Sequence, residues 1–220
     1  MEKIVLFGTG QIAQVVLHYI NKDKAFDVCA FCMDESYINE DTFSGKPVVP
    51  FDHIEDLYPP DTYKMAIPMG YKHLNKFREQ KYLEAKAKGY ELVSFISKDA
   101  CCETDDIGDN VFILGTVNIQ PFTKIGNNVF MWPATAIGHH VVVEDHCFFA
   151  SPKISGATKI GHHSFLGTNA TIGDTLEIGA FCIIGAGANV TKSVPDECVL
   201  AVKQTARLPL KSTEMEDILG

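Results

Sequence analysis

The sequence predicts two kinds of structure in series. A small α/β domain, a parallel sheet built from Rossmann-like βαβ units, is expected over residues 1–100. An all-β parallel β-helix follows over 101–207, and a polar tail over 208–220. Three observations carry this. An aliphatic residue returns at every sixth position through Ile107, Ile113, Ile119, Ile125, Met131, Ile137 and Val143, and again, after a break in phase, from Ile154 to Val190. Glycine often follows at once, as at Gly126, Gly138, Gly161, Gly167 and Gly185. Upstream, short apolar runs alternate with stretches of helical spacing. A period of six is neither the spacing of a helix nor simple alternation. It marks short strands stacked coil on coil, each repeated aliphatic pointing inward. The glycines are expected to give backbone freedom at strained corners.

In order along the chain, residues 4–7 are a buried strand. Gly8-Thr9-Gly10 leads into a helix over 11–21 with Ile12, Val15, Val16 and Ile20 on one face. Residues 28–33 form a second strand, ended by Asp34-Glu35, and 40–50, with Gly45 and two prolines, read as a loop. Residues 64–67 form a third strand. A helix over 71–88, rich in Lys, Glu, Ala and Leu, stops at Gly89. Residues 91–96 form a fourth strand. Strands alternating with helices make a small parallel sheet. Within the repeat one residue is missing around Ser151-Pro152-Lys153, and Pro195-Asp196 ends it.

The composition limits the function. The chain has 220 residues, 46% of them hydrophobic and 21% charged, which suits a soluble protein with a sizeable core. A net charge of -9 argues against nucleic acid as a partner, since that needs a basic surface. The 7 cysteines are odd in number and show no framework, so reduced cysteines in a cytoplasmic protein are expected. Cys29 and Cys32 fall on opposite faces of their strand. No signal peptide and no membrane-crossing stretch is read.

Two features carry chemistry. Gly8-Thr9-Gly10-Gln11-Ile12-Ala13 fits a G-x-G-x-x-A turn between strand and helix. Small residues let backbone approach a phosphate, and the helix start offers free N–H donors and a positive dipole. Asp34-Glu35, ending the next strand, are placed to accept from a sugar hydroxyl. With only about a hundred residues before the repeat, one nucleotide or a nucleotide sugar fits better than a dinucleotide. The second feature is histidine. His139-His140 and His162-His163 each follow an Ile-Gly pair, and His146 lies between them. Histidines of the coils are expected outside or at an edge. A neutral imidazole there is a candidate general base, aided by Glu144 or Asp145. The alternative is zinc held between subunits by His139, His146 and His162 or His163, although these spacings match no zinc pattern.

Taken together, the glycine loop, Asp34-Glu35, the Gly70-Tyr71 segment, the hexapeptide repeat and Gly185-Ala186-Gly187-Ala188 give a chain that resembles the hexapeptide-repeat sugar acyltransferases over nearly its whole length. The chain is similar to the UDP-amino-sugar N-acetyltransferases of bacillosamine synthesis, the GDP-perosamine N-acetyltransferases and the sialic-acid O-acetyltransferases. The resemblance implies a left-handed β-helix and a homotrimer with active sites between subunits. It implies acetyl-CoA as acyl donor, with no metal, and a nucleotide sugar as acceptor. It makes His139, in its Ile-Gly-His corner, the catalytic base, with His140 beside it. It assigns Gly167, Thr168, Gly185 and Ala186 to acyl-CoA. Gly8, Thr9, Gly10, Gln11, Asp34, Glu35, Pro68 and Gly70 fall to the nucleotide sugar. Lys192, Lys203 and Arg207 are candidates for the CoA phosphates. The sequence departs from the family where His140 replaces the glutamate of the bacillosamine-type enzymes, where Cys147 and Phe148 replace a later histidine, and in the closing segment 201–207.

The expected function is therefore acetyl transfer to an amine, or a hydroxyl, of a nucleotide-linked sugar in surface-polysaccharide or glycan synthesis. Two other readings stand beside it: a zinc-dependent, carbonic-anhydrase-like trimer, and a nucleotide-sugar-binding module without catalysis.

Overall fold

The structure is a computed structural model that describes residues 1–207, 209 and 211–213. Of the tail expected at 208–220, the rest lies outside the described residues. The N-terminal sheet has five strands: β1 (Lys3–Phe7), β2 (Asp27–Met33), β3 (Thr42–Phe43), β4 (Lys46–Pro50) and β5 (Lys64–Ala66). Their order is β3-β4-β2-β1-β5. β1 runs parallel to β2 and β5, and β2 runs parallel to β4. Helix α1 (Gln11–Asp23) buries Val16 and Ile20 of the predicted stripe together with Ala13 and Leu17, while Ile12 and Val15 are half-buried at its edge.

The α/β domain differs from the sequence expectation at three places. Residues 40–50 are not a loop but the hairpin β3–β4, turned by Ser44 and Gly45, both at positive φ as a tight hairpin requires. Pro47 and Pro50 hide the strand in the sequence, yet Val48 pairs with Phe31 of β2 and its N–H donates to Asp41 O at 2.9 Å. After α2 (Ile54–Leu57), the helix expected over 71–88 is shorter. It is α3 (Lys76–Ala87), preceded by His73, Leu74 and Asn75 in left-handed conformation. Residues 91–96 do not form one sheet strand. Leu92 makes an isolated bridge to Met65, and Phe95–Ile96 is already the first rung of the β-helix.

The β-helix has three parallel faces. The docking face holds seven two-residue rungs from Phe95–Ile96 to Val199–Leu200, the second face six from Cys101–Cys102 to Asn189–Val190, and the third face four from Lys124–Ile125 to Glu177–Ile178. The second residue of each rung points inward. Ile113, Ile119, Ile125, Met131, Ile137, Val143, Phe149, Ile154 and their successors to Val190 form one core. The phase break falls between Phe149 and Ile154, where the chain is one residue short.

The rung glycines serve a different purpose from the one expected. The residues at positive φ stand two positions further on, as at His140, His146 and His163. The glycines permit coils to stack closely: a Cβ on Gly161 would lie 2.5 Å from Ala180 N and Gly179 C of the next coil.

The first residue of each docking-face rung points outward, and there the sequence places Phe95, Phe112, Phe130, Phe148 and Phe165. The first four are buried with Ile4, Leu6, Val16, Leu17 and Phe31 of the α/β domain. This phenylalanine ladder fastens the domain to the solenoid. No helix among the described residues is long and apolar enough to cross a membrane.

Candidate active site

Successive faces meet at three corners. The first joins the docking face to the second, the second joins the second to the third, and the third returns to the docking face. Each group of predicted residues occupies a distinct place on this frame.

The glycine loop and its partners gather in one cleft of about 620 Å³. Gly8, Thr9, Gly10 and Gln11 line one side, Asp34 the end, and Pro68 and Gly70 the other side, with Lys72. Glu35 is exposed in the 3₁₀ turn Glu35–Tyr37 and does not line the cleft. Gly8 takes φ 97° to leave β1, and Gly10 caps α1 without a side-chain hydrogen bond. The Gln11, Ile12 and Ala13 N–H groups are therefore orphan donors at a positive helix end, and among the described residues none has a partner. Asp34 is held by Lys81 Nζ at 2.5 Å, and Lys81 also reaches Glu84 at 2.8 Å. One cation thus neutralises much of the negative charge at the end of the cleft.

His139 stands at the second corner, opposite the docking face, and is exposed. Its backbone N–H donates to Gln120 Oε1 at 3.0 Å. Its Nδ1 meets His140 Nδ1 at 3.1 Å, and His140 packs against Phe122 in a tilted arrangement with centroids 4.8 Å apart. The expected help from Glu144 and Asp145 is absent, because a shift of five or six residues moves the chain to the next corner. Glu144 instead accepts from Lys159 at 2.7 Å and from the His162 N–H at 3.1 Å, while Asp145 accepts from the Asn127 N–H at 2.7 Å.

The His139 ring lies against Gly156 of the next coil. A Cβ there would meet its Cε1 at 2.7 Å and its Nε2 at 2.8 Å. Gly156→Ala is expected to displace the ring and to lower kcat by roughly tenfold or more, with an unfolding midpoint near that of the parent chain. Steady-state kinetics beside thermal denaturation checks this, and unchanged kcat would contradict it.

Thr168 and Ala186 lie at the first corner in successive coils. Gly187 N–H donates to Thr168 O at 2.9 Å, and Gly167 N–H to Ile184 O at 2.7 Å. The structure thus brings Gly167, Thr168, Gly185 and Ala186 together, with Thr168 and Ala186 exposed, Gly185 half-buried and Gly167 buried between the coils. The N–H groups of Thr168 and Ala186 have no acceptor among the described residues, so both are free for a ligand. Lys192 is on the second corner instead, and Lys203 and Arg207 are exposed beyond the last rung.

The third corner holds a cluster that sequence reasoning missed. His146 and His163, expected outside or at an edge, are buried beneath α3. His163 Nε2 meets Glu79 Oε2 at 3.0 Å, and His146 Nε2 faces Glu79 Oε1 at 3.5 Å. These three side chains, unlike His139, come close enough for a metal site, with ligand atoms within 4.8 Å of one another. Their hydrogen bonds oppose that use. Ile67 N–H donates to Asn110 Oδ1, Asn110 Nδ2 donates to Asn128 Oδ1, and Arg78 Nε donates to that same oxygen. Asn128 Nδ2 must then donate to His146 Nδ1 at 2.9 Å. His146 is left presenting Nε2–H, not a lone pair, to Glu79. The available signal was that the corner position held by Asn110 and Asn128 becomes His146 and His163 in later coils.

Burial pushes His146 down to about 4, with His163 adding to the effect, and burial also lowers His163 despite Glu79. An ordinary histidine titrates near 6.5, so between that value and about 4 the unfolded chain takes up a proton that the folded chain refuses. Stability present above 6.5 is lost as pH falls through this window, by on the order of 3 kcal/mol for His146. Urea unfolding at about pH 7.5 and about pH 5 should show a larger loss for the parent chain than for His146→Asn, which extends the asparagine series. Equal losses would contradict the assignment.

A family model described as the GMPPB C-terminal domain matches residues 107–215. A search of curated proteins finds no match. Among solved structures, the acetyltransferase domain of PglB from Neisseria gonorrhoeae FA1090, in complex with acetyl coenzyme A, is similar with a TM-score of 0.80 and 21% identity over 90% of this chain and 95% of that one. A mutant perosamine N-acetyltransferase from Caulobacter crescentus, in complex with CoA and GDP-perosamine, has a TM-score of 0.80 and 22% identity over 90% and 93%. WeeI from Acinetobacter baumannii AYE has a TM-score of 0.72 and 22% identity over 90% and 95%. The α/β domain followed by a parallel β-helix is therefore a fold that this chain shares with these solved structures.

Proposed function

We propose that this protein transfers an acetyl group from acetyl-CoA to the amino group of a nucleotide-linked sugar. The observation that carries the reading is the cleft, where free N–H groups at the start of α1 face a small-residue loop, built onto a fold whose relatives are solved with CoA and GDP-perosamine. A nucleoside diphosphate places its charge at this helix end. The free Thr168 and Ala186 amides receive the acyl-CoA along the solenoid wall.

The chemistry needs a base, and His139 supplies it. With His140 Nδ1 accepting the Nδ1–H of His139 across their 3.1 Å contact, His139 Nε2 keeps the lone pair that takes the proton. This replaces the carboxylate that a glutamate would offer. The acceptor amine attacks the thioester carbonyl, and its nitrogen forms the new amide bond as its proton passes to Nε2. A backbone N–H stabilises the oxyanion while the carbon–sulfur bond breaks and the thiolate leaves as CoA. A hydroxyl acceptor would follow the same steps.

The cleft lies on the docking-face side of the solenoid and His139 on the opposite corner, so one chain does not complete this site. Pairing the cleft of one copy with His139 of the next does, which agrees with a homotrimer having sites between subunits. We place this enzyme in the cytoplasm, in surface-polysaccharide or glycan synthesis. The exposed Phe122 beside His140 is then part of that site or its interface.

Equilibrium binding tests the reading. CoA and a nucleoside diphosphate, UDP, GDP or dTDP, are each expected to bind, and to bind together. A protein that binds CoA but none of the three would contradict it.

A further inference from the structure

Arg78 is almost fully buried, and every acceptor found for it is an uncharged oxygen. Nε donates to Asn128 Oδ1 at 3.1 Å. Nη2 donates to the carbonyls of Asn128, His146 and Cys147 at 3.1, 3.1 and 2.9 Å. Nη1 donates to Met69 O and Gly70 O, each at 3.3 Å. A buried cation without a carboxylate is costly, and burial lowers its pKa to about 9. The guanidinium does more than fasten α3 to the solenoid. It reaches through to the wall of the cleft, where Met69 and Gly70 are lining residues.

The peptide geometry supplies the consequence. No peptide bond in the described chain is cis, so the N–H of each peptide points opposite to its carbonyl. With the Met69 and Gly70 carbonyls turned onto Arg78, the N–H groups of Gly70 and Tyr71 point away from it. Neither has an acceptor among the described residues. Tyr71 is itself held in place, its ring packed on Phe148 and Phe165 at 4.9 and 4.6 Å. Turned the other way, these peptides would aim two carbonyl oxygens at the cleft and repel an anion.

We infer that Arg78 is a positioning residue that turns the Gly70 and Tyr71 amides into the cleft as a second anion cradle, facing the start of α1, for the diphosphate of the nucleotide sugar. Successive backbone N–H groups form such anion-binding concavities. The inference rests on the reading of the cleft as a nucleotide site. It adds that the diphosphate is gripped from two sides, and that the solenoid, through Arg78, sets the second side.

The test uses the full-length protein titrated with UDP, GDP and dTDP, followed by calorimetry and by amide NMR, for the parent chain, Arg78→Lys and Arg78→Met. In the parent chain, saturation with the diphosphate that binds should shift the Gly70 and Tyr71 amide resonances together with those of Gln11 and Ile12. Folded Arg78→Lys should lose about tenfold or more in diphosphate affinity while its CoA affinity stays at the parent value. A merely structural arginine would not separate the two ligands. Full diphosphate affinity in folded Arg78→Lys, or unshifted Gly70 and Tyr71 amides in the saturated parent chain, overturns the inference and leaves the nucleotide reading standing. A parent chain that binds none of the three overturns both. If neither variant folds, the amide shifts of the parent chain decide alone.

Discussion

Replacing His139 with alanine is expected to lower kcat by about a hundred- to ten-thousand-fold while the fold is kept. The ring is exposed at a corner, outside every hydrophobic cluster, and its contact with His140 Nδ1 is its one side-chain hydrogen bond among the described residues. The backbone bond from its N–H to Gln120 survives the change. The inward Ile137 and the stacking of Gly138 on Gly156 are untouched. The loss therefore falls on proton transfer, and KM for either substrate should change little. Initial rates beside far-ultraviolet circular dichroism decide the matter. A folded variant with full activity would remove His139 from the mechanism.

The largest effect on stability is expected at Phe130. It is fully buried in the ladder between the two parts of the chain, stacked on Phe148 at 5.1 Å and an interplanar angle of 11°, with Phe112 at 5.3 Å. Phe130→Ala removes the middle of this stack and leaves a cavity against the α/β domain, at a cost of about 3–5 kcal/mol. Because this face holds the α/β domain in place, nucleotide binding should weaken together with stability. Denaturant unfolding measures the first effect and calorimetry the second. A loss below about 1 kcal/mol would show that the ladder is not what joins the two parts.

The solenoid was legible because its constraint is local and repeated. Every inward position from Ile107 to Val190 faces the same core, so each independently favours an apolar residue. The docking face was equally visible in principle. Outward positions on the other faces are mostly polar or small, such as Asn118, Lys124 and Lys153, whereas on this face they are Phe112, Phe130 and Phe148. The glycine loop and Asp34 assemble as their spacing predicts, since strand, turn and helix are contiguous there.

What escaped is non-local. Asn75 and Arg78 look like ordinary residues of a solvated helix, yet Asn75 Nδ2 donates to His163 O at 2.9 Å and Arg78 reaches Cys147 O. These ties across the fold accompany a later helix start than composition suggests. The burial of His146 and His163 likewise depends on Glu79, which is distant in sequence. The prolines of β4 disguised a strand whose partner is β2. The support expected for His139 failed for a geometric reason: each corner is six residues from the next, so Glu144 and Asp145 belong to another edge of the solenoid.

Turnover tests the proposed acetyl transfer to a nucleotide-linked amino sugar without intermediaries. Release of CoA thiol from acetyl-CoA should be followed with a panel of UDP-, GDP- and dTDP-linked amino sugars, with the products identified by mass. One amino sugar is expected to be acetylated in step with thiol release. Binding of both ligands with no thiol release across amino sugars and their hydroxyl counterparts would contradict it, and would make the chain a nucleotide-sugar-binding module.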